Sequence, residues 1–329
     1  IHACAQNKEV QIIVVGESFP DHFIQYCNTQ SLVKIQSNKA ATAFSKQLTN
    51  EVLVHFGTHV KWAKGFSNFF IPLVLPAHLD GIGFIKRVLL KRKFNQWSKD
   101  ATKLLAVNEW ALSSLQPYLE QYNFPVQLIN LPLVPAPHFE WNVLAATKEK
   151  LSMGNNYFLA FVPVARFTAI LKEFSVFKKW QLTTMHLVFV FETEKEVEFA
   201  KAELRGYKFR QDISIYHLSA MSLAWLAAAY LILWEGIHFA KATWIEYAVE
   251  FDVPLLFDEA IHFPERWQNA GEVFSFSEKQ ALSNHFKLYY KDEVYRQSRA
   301  SMGKEWLQML RQNSSDQELF NKIVLSHNN

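Results

Sequence analysis

Between Tyr230 and Glu259 the chain reads YLILWEGIHFAKATWIEYAVEFDVPLLFDE. Leu231–Trp234 is a short, wholly apolar run, a loop through Gly236 comes next, and residues 240–250 carry helical spacing. Val253-Pro254 then leads into a second apolar run ending at Phe257. Two buried strands joined by a helix cannot form a hairpin. Parallel strands need a crossover of about a dozen residues or more, usually a helix. Strands that are apolar on both faces belong to a sheet covered on both sides. This one stretch therefore constrains the chain to an α/β fold built on a parallel sheet.

The rest of the sequence repeats that alternation. In the first half, strands are expected at Val10–Val15, Leu32–Ile35, Val52–Phe56, Pro72–Leu75, Lys103–Val107 and Val126–Ile129, with helices at Ile85–Trp97 and Trp110–Tyr118. Leu131-Pro132-Leu133-Val134-Pro135-Ala136-Pro137 breaks the pattern. Each proline fixes its own φ and holds the preceding residue extended, so the segment reads as a connection between domains. Beyond it, strands are expected at Phe158–Val162, Leu187–Phe191, Ile213–Tyr216, Leu231–Trp234 and Pro254–Phe257. Helices are expected at Phe167–Trp180, Val197–Leu204, Ser222–Ala229 and Ala240–Glu250, and from Glu278 to Leu325 with an interruption near Asn313-Ser314-Ser315-Asp316. Phe167, Ile170, Leu171, Phe174 and Phe177 fall on one helical face and form a core stripe. The expected organisation is two doubly wound, Rossmann-like domains facing across a cleft, at residues 1–150 and 151–310, with a last helix at 311–329 packing back on the first domain. Ligands in such sheets bind beyond the carboxyl ends of the strands.

Composition narrows the function. At 329 residues, half of them hydrophobic and 28 of them Phe, the chain can bury two cores. A net charge of +3 with scattered basic residues argues against a nucleic-acid binder. The densest basic run, Lys86-Arg87 with Lys91-Arg92-Lys93, is either a solvated helix face or a patch for peripheral contact with anionic membrane. Cys4 and Cys27 are too few for a disulfide framework and point to a reducing, cytoplasmic setting. No apolar run reaches the length of a membrane span. With only 10 glycines, the chain holds neither a dinucleotide-binding nor a P-loop glycine pattern. His55 and His59 lack further ligands at metal spacing.

The order of these elements resembles the GT-B glycosyltransferases, specifically the retaining group called family 4. Tyr157-Phe158-Leu159 followed by Ile170-Leu171-Lys172-Glu173-Phe174 is similar to the opening strand and helix of that family's nucleotide-sugar domain. Asp212–Tyr216, Leu218-Ser219 and Leu226–Tyr230 resemble the strand, loop and helix lining the nucleotide base. Val253-Pro254-Leu255-Leu256 resembles the strand after the site helix, and Pro264-Glu265 with Asn269-Ala270-Gly271 resembles the turn beyond that strand. More thinly, Ile71-Pro72-Leu73-Val74 leading to His78 resembles the strand that ends in an active-site histidine, and Lys103–Glu109 a strand ending in Ser-Glu. The resemblance implies that the first domain is the acceptor side and the second the donor side. It implies transfer of a hexose from a nucleotide diphosphate sugar to a saccharide or lipid-linked acceptor, with no cofactor and no metal.

Such chemistry needs a positive clamp on the leaving diphosphate and a carboxylate on the ribose or sugar. The family's Arg-Lys pair falls near Val164-Ala165-Arg166, where Arg166 alone is charged. Arg166 either pairs with a phosphate or closes the strand-to-helix loop on solvent. The family's two glutamates, eight residues apart, fit in three registers. Glu235-Gly236 as anchor places Thr243 second, Val253-Pro254 places Phe239 and Tyr247, and a one-residue slip places His238 and Glu246. Glu246 with Glu250 also reads as an ordinary solvated face. His78 either touches the transferred sugar or caps a loop. Carried onto this sequence, the catalytic candidates are His78 and Glu235, and the donor-binding ones are Arg166, His217, Gly236, His238 and Glu246. The missing lysine and displaced glutamates leave a second expectation open, a non-catalytic GT-B-like subunit that binds or scaffolds in glycan biosynthesis.

Overall fold

A computed structural model describes residues 136–235, 242–259 and 269–313, six earlier strands, and the helical positions Val88 and Arg92. The chain divides into two compact units, Ile1–Pro132 with Asn313–Asn329, and Leu133–Gln312.

In the first unit, β1 (Ile12–Gly16) pairs with β2 (Val33–Ser37), and β3 (Val52–Gly57), β4 (Ser67–Pro72), β5 (Lys103–Ala106) and β6 (Val126–Leu128) form a second sheet in sequence order. Each of these pairings is parallel. The strand expected at Pro72–Leu75 instead ends at Pro72, because Ser67-Asn68-Phe69-Phe70-Ile71 takes the register opposite β3. Proline lacks the N–H that a central strand must donate, so it stands at the strand's last place. The expected helix at Trp110–Tyr118 lies outside the described residues, as does most of Ile85–Trp97.

The second unit opens with α1 (Trp141–Ser152), a helix that the apolar spacing does not announce. Only Thr147, Leu151 and Ser152 of it are buried, and Trp141 is 79% exposed. Polar bonds hold its end. Ser214 donates to the Leu151 carbonyl at 2.8 Å and Tyr216 to that of Lys150 at 3.1 Å. The helix stops at Met153 and Gly154, both at positive φ, a conformation glycine adopts without steric cost.

Next come β7 (Tyr157–Phe161), α2 (Phe167–Trp180), β8 (His186–Phe191), α3 (Glu194–Leu204), β9 (Ile213–His217), α4 (Leu223–Ala227), β10 (Leu231–Trp234), α5 (Ala242–Glu250), β11 (Leu255–Asp258), β12 (Glu272–Phe274), α6 (Ala281–Lys291) and α7 (Glu293–Asn313). The six strands are parallel in the order β12-β11-β10-β7-β8-β9. Counted in chain order this is 3-2-1-4-5-6 read from β9, the dinucleotide-fold order whose switch point lies between β7 and β10. Every residue of β7, β8, β10 and β11 is buried, which is why these strands read as unbroken apolar runs.

On one face, α2 buries Phe167, Ile170, Leu171, Phe174 and Phe177, the stripe expected from spacing. Phe286 of α6 joins it, stacked on Phe158 with centroids 4.4 Å apart. A capping box starts α3: Thr193 Oγ1 accepts from the Glu196 N–H at 3.3 Å, and Glu196 Oε2 accepts from the Thr193 N–H at 3.0 Å. The buried Lys178 ammonium is 2.8 Å from Asp212 Oδ2 and donates to the carbonyls of Thr183 and Met185. Its three N–H bonds are thus all used, tying the end of α2 to the entrances of β8 and β9. No helix among the described residues is long and apolar enough to cross a membrane.

Candidate functional site

Three charged side chains meet at the carboxyl ends of the central strands. Arg166 ends the 3-10 turn Val164–Arg166, between β7 and α2. Glu235 comes directly after β10, and its amide donates to the Phe161 carbonyl at 2.8 Å, extending the β7–β10 pairing. Asp258 is the last residue of β11. The sheet order puts β7, β10 and β11 side by side, so the three residues gather at the switch point itself.

Arg166 Nε donates to Glu235 Oε1 at 2.7 Å, and its Nη2 faces Asp258 Oδ2 at 3.3 Å. The carboxylates are the buried partners, at 9% and 2% side-chain exposure, while the arginine is 37% exposed. The guanidinium also lies over the Phe276 ring, 4.8 Å from its centroid. Beside it, Ser275 donates to Glu259 and hydrogen-bonds Ser277, closing the loop after β12.

Glu235 Oε2 is buried without a hydrogen-bond donor among the described residues. Burial raises the Glu235 pKa above the usual carboxylate value. The Arg166 cation opposes that rise, and the neighbouring Asp258 carboxylate reinforces it. A proton on Glu235 removes the repulsion between two acids that share one guanidinium. The trio thus carries one positive and two negative groups when both acids are ionised, and is neutral when Glu235 holds a proton.

The other candidates lie elsewhere. His217 ends β9, separated from β10 by β8 and β7 in the sheet order. Both its ring nitrogens are engaged: Nδ1 accepts from the Ser219 amide at 3.2 Å, and Nε2 meets the Glu192 carbonyl at 2.9 Å. That pairing assigns the proton to Nε2 and makes His217 the cap of the 3-10 turn Leu218–Ala220. Glu246 is half-buried on α5 beside Tyr247, whose hydroxyl pKa is raised by burial first and then by Glu246 and Glu250. Glu250 is not merely solvated, since its Oε2 accepts from the Ala136 amide at 2.9 Å and anchors the incoming connection. His78, Gly236 and His238 lie outside the described residues.

The structure thus brings Arg166 and Glu235 together and adds Asp258, which sequence spacing did not single out. Its signal was present: Leu255-Leu256-Phe257-Asp258 closes an apolar run with an acid, just as Leu231–Glu235 does. Among the described residues no group of three or more His, Cys, Asp or Glu is arranged to hold a metal ion.

No protein-family model matches the sequence, and no curated protein matches it. Solved structures do. WaaG, a glycosyltransferase involved in lipopolysaccharide biosynthesis, is 12% identical over 97% of this chain and 92% of that one, with a TM-score of 0.62. HepE of Anabaena, in complex with UDP-glucose, is 10% identical over 96% and 91%, with a TM-score of 0.63. The N-terminal domain of trehalose-6-phosphate phosphatase from Candida albicans is 11% identical over 99% and 92%, at 0.59. The class is therefore settled at the level of fold: this is an α/β protein with Rossmann-like parallel sheets and the GT-B fold. Its likeness to these structures is one of fold, at low sequence identity. Fold alone does not assign an activity.

Proposed function

We propose that this chain is a GT-B-fold subunit of glycan biosynthesis that binds or scaffolds without transferring sugar. One observation carries the reading: the cation that would clamp a donor diphosphate already holds two buried carboxylates, Glu235 and Asp258. A diphosphate brought to this point would meet a cluster with no net positive charge. In this reading the first unit is the acceptor-like side and the second the donor-like side. The Lys86–Lys93 segment, helical at Val88 and at the exposed Arg92, would meet anionic lipid.

Transfer of a hexose from a nucleotide diphosphate sugar is the second reading. Its support is the place of the trio, at the switch point where such sheets bind ligands, together with the likeness to a UDP-glucose-bound structure. Calorimetry of the full chain with UDP, GDP and UDP-glucose, up to millimolar concentration, separates the two. The scaffold reading expects no binding heat. A dissociation constant in the micromolar range for any of the three would overturn it in favour of transfer.

A further inference from the structure

We propose that Asp258, with Glu235, is an internal anion that occupies Arg166 in place of a ligand phosphate, and that these two acids set the switch point's selectivity against diphosphates. The inference deepens the scaffold reading and rests on it.

The geometry is that of a filled anion site. Arginine recognises phosphate bidentately through two parallel N–H groups of its planar fork. Here Nε and Nη2 are directed at Glu235 Oε1 and Asp258 Oδ2, at 2.7 and 3.3 Å. One face of the guanidinium is covered by Phe276. Each acid is delivered by a different strand, β10 and β11, whose pairing at Trp234 and Phe257 holds the two carboxyls next to each other. Because both carboxyls are buried, solvent does little to screen them, and their charge confronts any anion that reaches Arg166. A loop arginine that served only solvation would not need two buried, strand-borne counter-ions.

Neutralising the acids should therefore uncover the cation. In the double variant Glu235→Gln/Asp258→Asn the shapes persist, and the cluster changes from one cation against two anions to one unopposed cation. The experiment compares full-length wild type and double variant by calorimetry with UDP, inorganic pyrophosphate and uridine. The variant should bind UDP and pyrophosphate about tenfold or more tightly than wild type, the effect of gaining one charge-assisted hydrogen bond. Uridine, which has no phosphate, should show no gain, and adding Arg166→Ala should abolish the gain for the other two. A double variant that is folded by circular dichroism yet gains no pyrophosphate affinity overturns the proposal and leaves the scaffold reading standing. If the double variant does not fold, Asp258→Asn alone decides by the same criterion. Micromolar UDP binding by wild type would instead sink the scaffold reading first, and this proposal with it.

Discussion

Removing Arg166 should destabilise the second unit in a strongly pH-dependent way. Arg166→Ala leaves Glu235 and Asp258 in place at 9% and 2% side-chain exposure, without the cation that both face. Deleting one partner of a buried ion pair costs about 3–5 kcal/mol. Arg166 is itself 37% exposed, so water can enter its place, and screening reduces the expected cost to about 2–4 kcal/mol at pH 8. A surface arginine would cost under about 1 kcal/mol. The sign comes from linkage. Glu235 already has its folded pKa above its unfolded value, mainly from burial, with Arg166 pulling it back. A carboxyl of this kind binds protons more tightly when folded, so its protonation stabilises the fold below the folded pKa, and that stabilisation is lost as pH rises through it. Without Arg166 the folded pKa climbs further and the loss is larger. The penalty of Arg166→Ala should therefore shrink as the pH is lowered from 8 to 4.5. Urea unfolding of the full chain at both pH values measures it. The triple variant Arg166→Ala/Glu235→Gln/Asp258→Asn should recover most of the stability, since the stranded charges are gone. A penalty below about 1 kcal/mol at pH 8, or one that does not change with pH, would refute the buried-pair argument.

Two further substitutions test the frame that holds the site. Lys178→Met breaks the buried pair with Asp212, which is 25% exposed, and should cost about 2–3 kcal/mol, against less than about 0.5 for the exposed Lys179→Met. The same change should raise the His186 pKa, because Lys178 helps to hold it below the usual value, after burial and against Asp212; proton NMR of His186 reads this directly. Gly271→Ala would set a Cβ 2.6 Å from the Leu255 carbonyl oxygen, a backbone atom that cannot yield, and 2.7 Å from the Phe257 ring. It should lower stability by about 1–3 kcal/mol in thermal melts by prising β12 from β11.

The fold was legible where burial is two-sided. The runs Leu187–Phe191 and Leu231–Trp234 have no solvent face to blur them, so their identity as strands came from composition alone. The five-residue stripe of α2 was equally clear, because one face of that helix packs against the sheet. Helix α1 escaped notice because polar bonds to β9, not an apolar stripe, secure its end. Edge strand β12 escaped as well. At three residues, with Val273 half exposed, Glu272-Val273-Phe274 has too little buried length to register as a strand.

The site was half legible for a different reason. Sequence order located the loops after β7 and β10, so Glu235 could be named from its place at a strand end, while Arg166 was carried over from the family resemblance. What spacing could not supply was their pairing. They are 69 residues apart, and Asp258 lies 92 from Arg166, so only the 3-2-1-4-5-6 strand order makes them neighbours. That order also changes what each residue means. Read singly, Arg166 is a phosphate clamp or the close of a loop on solvent, and Glu235 is a ribose or sugar ligand that favours transfer. Read together with Asp258, each is the other's counter-ion, and a ligand must displace a contact already made before it gains one. The functional question thus reduces to whether an incoming diphosphate can displace two buried carboxylates from one guanidinium, and the affinities of wild type and double variant for pyrophosphate answer it in a single comparison.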